Sequence, residues 1–401
     1  MEEENKPQNW FEKNQKWLIQ GLSYVLVAVL TAALTLGIVL ANLQESKSTG
    51  KLEALEKLLL ENFIGDADQK ALEDAAADAM VEAIEDPWSF YIPADQYGFY
   101  QEQQKNAYVG IGVTISGQSD DRGWKIVEVT AGAGADEAGL WPGDVIVAVD
   151  GVRVAGMPLV EVRNLIRGDE NTGVDLTYFR DGAEVTVQVI RKQIKQVVAK
   201  GQMLPGKVGL VTIENFNANC KNETCTAIRF LLDEGAEKLI FDVRNNPGGY
   251  VKELVPLLDY LLPAGILFQT EDYAGKKKTE TSDTSCIQVP MAVLVNGESY
   301  SAAEFFAAAL SEYEAAVVVG EQTTGKGYFQ TVYTLPDGSA VNLSIGKYYT
   351  PKGVNLAGVG ITPDVVVPVD KDVAAAIVAG TLTPEEDPQI QAALEALKDA
   401  Q

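Results

Sequence analysis

The sequence predicts a multidomain α+β chain: an N-terminal transmembrane helix, a helical segment, a small β-rich module and a larger α/β domain on a parallel-type sheet. Three patterns predict it. Positions 17–44 are 28 consecutive uncharged residues, mostly Leu, Val, Ala and Ile. Residues 107–194 fall into short β-rich segments divided by glycine turns. Residues 195–370 alternate strand and helix, the rhythm that places covered strands side by side in parallel.

The elements follow in order. A spanning helix needs about 20 apolar residues and a signal-peptide core only about 7–15. The run 17–44 is therefore expected to be an uncleaved membrane anchor behind a cytoplasmic tail, 1–16. Lysines do not orient it, because Lys6, Lys13 and Lys16 on one side face Lys47, Lys51 and Lys57 on the other. Within the helical region 45–106, Leu52, Leu55, Leu58 and Leu59, then Leu72, Ala75, Ala79, Met80 and Ala83, recur at three- and four-residue steps. That is the period of amphipathic helices.

In the module 107–194, strands are expected at Trp124–Val129, Val145–Val149 and Val185–Ile190, with a helix at Leu159–Ile166. A short helix should end at Gly139, and Pro142-Gly143 should turn the chain into a buried strand. In 195–370, strands are expected at Gly209–Ile213, Lys238–Val243, Ala292–Val295 and Ala316–Val319. Helices are expected at about 225–235, at about 251–262 and at Ser301–Leu310. In the tail 371–401, Thr383-Pro384 followed by acids opens a last helix.

Composition excludes several chemistries. The chain has 401 residues and a formal charge of −25, from 57 acids against 32 bases. Such a balance disfavours nucleic acid, whose phosphates need clustered Lys and Arg. There is no histidine. A Ser-His-Asp triad, a Cys-His pair and a His-ligated zinc are thus impossible, and no cofactor or metal is expected. Cys220, Cys225 and Cys286 form no Cys-x-x-Cys pair; a small Cys220–Cys225 disulfide and three free thiols both remain open.

Without imidazole, a nucleophilic serine must use a lysine or a carboxylate as its base. Ser301 opens the apolar run Ser-Ala-Ala-Glu-Phe-Phe-Ala-Ala-Ala-Leu directly after the strand-like Met291–Asn296, and Lys326 lies in Thr-Thr-Gly-Lys-Gly with Gln330 four residues on. Ser301 and Glu304 also fit a helix capping box. The two readings are compatible: a serine at a helix start puts its hydroxyl and the Ala302 amide at the positive end of the helix dipole, where an oxyanion would form.

These segments carry a resemblance. Met-Ala-Val-Leu-Val-Asn-Gly-Glu-Ser-Tyr-Ser-Ala-Ala-Glu (291–304) resembles the nucleophile segment of the C-terminal processing, or tail-specific, serine peptidases. Gly-Lys-Gly-Tyr-Phe-Gln (325–330) is similar to their lysine loop. Asp-Val-Arg-Asn-Asn-Pro-Gly-Gly (242–249) is similar to their oxyanion turn, Asp86-Pro-Trp-Ser-Phe-Tyr91 to a motif ahead of their PDZ module, and Gly360-Ile-Thr-Pro-Asp364 to their closing signature. Tyr300 and Ala303 stand where the family more often has alanine and serine. Residues 135–151 resemble a bacterial PDZ domain.

The resemblance implies a crotonase- or Clp-like fold for 195–370 and a membrane-anchored, single-pass serine endopeptidase with its catalytic part outside the cytoplasm. It would cleave proteins near their C-termini. Ser301 would attack, Lys326 would take its proton and Gln330 would orient the lysine; amides of Gly248 (or Gly249) and Ala302 would hold the oxyanion. In the PDZ module, Gly110, Ile111, Gly112 and Val113 would capture a free C-terminal carboxylate through backbone amides, making peptides and protein tails the partners. Helices before the module imply a homodimer. The competing reading is an inactive peptidase-like PDZ adaptor that only binds peptides.

Overall fold

A computed structural model describes residues 10–119 and 121–398. By contact density the chain forms two units, Met1–Ile84 and Glu85–Gln401. Of the expected tail 1–16, residues 1–9 lie outside the described residues, as do the last three of the C-terminal segment.

In the first unit the apolar run and the leucine-rich stretch merge into one helix, Trp10–Asn62, followed by Gln69–Glu82. Asp68 caps the second helix by accepting the Ala71 amide at 3.2 Å, the arrangement an N-terminal aspartate favours. The transmembrane expectation is corrected: among the described residues no helix is long and apolar enough to cross a membrane. Within the run the hydroxyls of Ser23, Thr31 and Thr35 bond back to carbonyls of their own helix.

The second unit holds both β-containing modules. Strands Val113–Ser119, Trp124–Val129, Val145–Val149, Gly173–Arg180 and Ala183–Ile190 form an antiparallel sheet in that order. Val145–Val149 is fully buried, and Leu159–Ile166 is helical as expected, with Val162 and Ile166 inward. Together with Ile126, Leu140 and Leu176 these close a separate small core.

The larger module has two sheets. The first runs 199–204, 208–213, 238–242, 291–295, 316–320 and 365–366; every pair after the first is parallel. Parallel strands read as continuous apolar runs because helices cover both faces, and Met291–Val295 is buried at every position. The second sheet, unforeseen in the sequence, is antiparallel and joins 90–92, 340–349, 265–272 and 277–282, with 328–334 also on 340–349. Its alternating, half-exposed strands gave no strong period, and its first strand comes from before the PDZ-like module.

The helix Ala302–Glu312 lies in the core with every residue from Ala302 to Leu310 buried. Phe306 packs on Phe216 and Phe241, and Phe305 on Phe268 and Tyr348, with ring centroids 5.3–5.5 Å apart. Each such phenylalanine contributes on the order of 2–3 kcal/mol by burial, so the start of this helix is held rigidly. Its preceding loop meets the turn 242–249: Asn245 N donates to Asn296 Oδ1 and Asn296 Nδ2 to Asn245 Oδ1, both at 2.9 Å. Arg244, buried, pairs with Asp242 at 2.6 Å and with Asp387 at 2.8 Å, tying this turn to the start of the last helix, Pro388–Ala396. Cys220, Cys225 and Cys286 are free thiols; burial pushes Cys220 up to about 12, an inert thiol.

Candidate active site

Strand Met291–Val295 ends at Asn296, and the loop after it delivers Ser301 to the helix N-terminus. Ser301 is buried and sits at φ 59°, ψ −125°. A serine in that region is strained by roughly 1–3 kcal/mol, and such outliers cluster where function over-determines the backbone. Gly248 lies directly against it. At φ 84°, a Cβ on Gly248 would sit 2.7 Å from Ser301 Cβ and 2.8 Å from the Ala302 nitrogen. Only glycine permits this approach.

The structure distinguishes the two glycine amides expected for the oxyanion. The Gly248 N–H is spoken for, donating to Asn246 Oδ1 at 2.8 Å. The neighbouring Gly249 N–H and the Ala302 N–H donate to no group among the described residues. Asn246 also bonds the Ile213 carbonyl through Nδ2 (2.7 Å) and accepts the Tyr300 amide on its own carbonyl (3.1 Å), so its side chain fixes the glycine turn beside the serine. A free pair of amides at a helix start is what a developing oxyanion requires.

Lys326 is largely buried, and burial lowers its amine from an ordinary 10.5 to about 8, with the charges of Asp86 and Glu304 pulling the other way. Its Nζ lies 4.6 Å from the Trp88 ring centroid and 5.7 Å from that of Tyr300. No hydrogen bond joins Nζ to Ser301 or Gln330 among the described residues. Gln330 lines the same cleft, yet its Nε2 donates to the Tyr328 carbonyl at 3.1 Å and to Ser344 Oγ at 3.0 Å. In this arrangement Gln330 bonds Ser344 rather than the lysine, because the register shift between Phe329 and Gln330 in the strand pairing turns its amide that way. Catalytic hydrogen bonds are often long without substrate.

What joins serine and lysine is Glu304, which sequence reading treated as a cap. Its fully buried carboxylate accepts Ser301 N (2.9 Å) and Lys326 N (2.8 Å) on one oxygen, and Thr323 Oγ1 (2.6 Å) and Gly325 N (2.7 Å) on the other. One side chain thus clamps the lysine loop onto the nucleophile turn. The Ser-x-x-Glu spacing signalled only the half of this within the helix.

Around these groups is a cleft of about 580 Å³ whose walls include Tyr250, Phe268, Phe329 and Tyr348, with Lys278 and Glu280 at its edge. Such walls suit apolar side chains of an extended peptide.

The PDZ-like module presents a second cleft, of about 400 Å³, between the 110–113 loop and the helix Leu159–Ile166. The carbonyls of Ile111 and Gly112 are anchored by the amides of Ala135 and Thr130, each at 2.8 Å, while the amides of Ile111 and Gly112 donate to nothing among the described residues. Gly112 holds φ 77°, and a Cβ there would meet Ala133 Cβ at 2.2 Å. Gly110 and Val113 end and begin the flanking strands. The sequence did not foretell that Arg163 and Arg167 stack on Phe99 at this groove, nor that Arg167 lies 3.7 Å from Glu102.

Comparison with known proteins identifies the same two parts. The model of peptidase family S41 matches residues 207–367 and that of the PDZ domain residues 102–178. A Staphylococcus aureus protein described as "Probable CtpA-like serine protease" is 32% identical over 346 residues, 85% of this chain and 69% of that one. Among solved structures, the photosystem II D1 C-terminal processing protease is 28% identical, covering 84% of this chain and 92% of its own, with a TM-score of 0.48. A Bacteroides fragilis chain described as an S41 protease shares the fold at a TM-score of 0.50 and 16% identity, over 86% of this chain and 97% of its own.

Proposed function

The chain belongs to peptidase family S41, the C-terminal processing serine proteases with a PDZ domain, and we propose that Ser301 and Lys326 form its Ser-Lys dyad. One observation carries the proposal: a strained serine and a buried lysine, 25 positions apart, are clamped by the single carboxylate of Glu304. Ser301 Oγ attacks the scissile carbonyl and neutral Lys326 takes its proton. The amides of Ala302 and Gly249 receive the oxyanion, and the lysine then gives its proton to the leaving amine as the C–N bond breaks. In this reading Lys326, still beside the Trp88 ring, turns its Nζ toward Ser301, and Gln330 steadies it there. The test is cleavage of an unfolded protein by the full chain, lost in Ser301→Ala.

Lysine must be neutral to act, so activity should rise with pH through about 8, the value burial imposes on Lys326. Peptidase rates measured between roughly pH 6 and 10 check this. A rate that is flat or falls across pH 7–9 in a folded sample would remove Lys326 as the base.

The substrates we infer are protein tails. The unbonded amides of Ile111 and Gly112 support capture of a free C-terminal carboxylate, with the tail lying along Leu159–Ile166. A peptide with a free C-terminus should bind at least about tenfold more tightly than its amidated form, since a charge-assisted pair of hydrogen bonds is worth more than ~1.4 kcal/mol. Equal affinities by calorimetry would take tail recognition out of the proposal. Action outside the cytoplasm belongs to the same reading, and cell fractionation tests it. Exposed Leu52, Leu55 and Leu58 on the first unit support a homodimer, which light scattering of the full chain would detect.

A further inference from the structure

Lys326 rests on a segment that lies 240 residues before it and outside the stretch matched by the peptidase family model. The turn Asp86–Ser89 runs into the strand Phe90–Ile92, which pairs antiparallel with 340–349, Phe90 opposite Asn342. Asn342 Nδ2 holds the Trp88 carbonyl at 2.9 Å. The indole face then lies 4.6 Å from Nζ, backed by Tyr300, whose ring is 5.6 Å from that of Trp88. Asp86 accepts Ser89 Oγ at 2.5 Å and Trp88 N at 3.3 Å; Ser89 Oγ accepts Ser344 N at 3.0 Å; and Ser344 Oγ accepts Gln330 Nε2 at 3.0 Å. A connected polar chain therefore runs from Asp86 to Gln330, with the lysine beside it.

We propose that Trp88 and Asp86 are positioning residues for the base: they form a cation seat for the ammonium that Lys326 becomes when it takes the Ser301 proton. The inference rests on the Ser301–Lys326 reading. During acylation the Ser301 O–H bond breaks, a third N–H bond forms on Nζ, and the positive charge stays there until the proton passes to the leaving amine. Burial has stripped that site of water, so the charge needs other partners. An aromatic face and a nearby carboxylate are such partners. The titratable groups facing Lys326 are Asp86, Glu304 and Tyr300. Glu304 is committed to four hydrogen bonds, and burial raises the Tyr300 phenol, which stays neutral. Burial also pushes Asp86 up, but hydrogen bonds from Ser89, Ser344 and the Trp88 amide, with the Lys326 charge, outweigh it and hold Asp86 below the ordinary carboxylate range. Asp86 is thus the adjustable counter-charge.

The test uses Asp86→Asn, Trp88→Leu and the conservative Trp88→Phe in the full chain. The acid limb of kcat/KM against pH is measured, and, in a Ser301→Ala background, the pH dependence of Lys326 labelling by an amine-reactive reagent read by mass spectrometry. Losing the charge or the ring destabilises the ammonium, so both midpoints should move to lower pH. Labelling at pH 7 should rise roughly threefold to tenfold in Asp86→Asn and Trp88→Leu, while Trp88→Phe keeps the wild-type midpoint. If Trp88→Leu does not fold, Asp86→Asn decides alone. Unchanged midpoints with a uniform fall in rate would reduce the segment to scaffolding and overturn the seat, as would a shift to higher pH. Full activity in Lys326→Ala would instead sink the dyad; the labelling arm needs no catalysis and still judges the seat.

Discussion

Ser301→Ala and Lys326→Ala should each lower the rate of peptide-bond cleavage by about 10⁴-fold or more while leaving the fold intact. Nucleophile and base act as a unit, so losing either costs nearly as much as losing both. The residual rate would come from the free amides of Ala302 and Gly249 and from binding alone. Steady-state assays on an unfolded substrate, with circular dichroism to confirm folding, check the result. Retention of more than about one-tenth of the rate by Lys326→Ala would exclude the lysine as the base. The same position reports through stability. Its amine falls from 10.5 to about 8 on folding, chiefly through burial. Below pH 8 the folded chain bears the full cost of a buried ammonium, and that cost is relieved as pH rises from 8 to 10.5. Lys326→Met should therefore raise stability by roughly 2–3 kcal/mol at pH 7, and this gain should vanish near pH 10.5. An inactive variant that melts higher is the expected signature.

Glu304→Ala is the second large effect, and it joins structure to activity. Removing this carboxylate leaves four donors buried without partners: the amides of Ser301, Gly325 and Lys326 and the hydroxyl of Thr323. Each orphaned donor costs about 1–3 kcal/mol. Relaxation recovers part of this, so a loss of roughly 3–5 kcal/mol is expected in urea unfolding. Activity should fall more than about a hundredfold, because the loop bearing Lys326 is no longer pinned to the turn bearing Ser301 and a displacement near 1 Å costs that much. Glu304→Gln tests the electrostatics separately. Its shape is kept, but its amide nitrogen would point a donor at two donors. A Glu304→Ala chain that melts like wild type, or keeps its activity within about twofold, would remove the clamp from this account.

Much of the architecture was legible because it follows from periodicity. The strands Trp124–Val129 and Val145–Val149 stand where β-rich segments between glycine turns placed them, and the helix Leu159–Ile166 where the PDZ resemblance implied it. The buried parallel strands stood out as continuous apolar runs, since helices shield both faces. The antiparallel second sheet was not legible: Tyr328–Thr334 and Lys277–Ser282 are half exposed, and their polar residues carry no usable period. The uncharged run 17–44 sets the expectation of an anchor, yet among the described residues no helix is long and apolar enough to cross a membrane.

The site divides along the same line. From sequence alone, the missing histidine excluded imidazole chemistry, and the serine at a helix start and the lysine between two glycines marked the candidate pair. Local order was enough for that, because it concerns which atoms exist and which lie within a turn of one another. Tertiary structure decided how those atoms are held. It gave the Gly248 amide to Asn246 and left that of Gly249 free; it turned Gln330 toward Ser344, made Glu304 a clamp between two loops, and brought Trp88 beneath Lys326 from far along the chain. The physical reason is that hydrogen-bond partners, burial and the field at an amine are set by whatever packs nearby. Across separations of 22 and 238 residues, from Lys326 to Glu304 and to Trp88, no local pattern in the sequence encodes that packing.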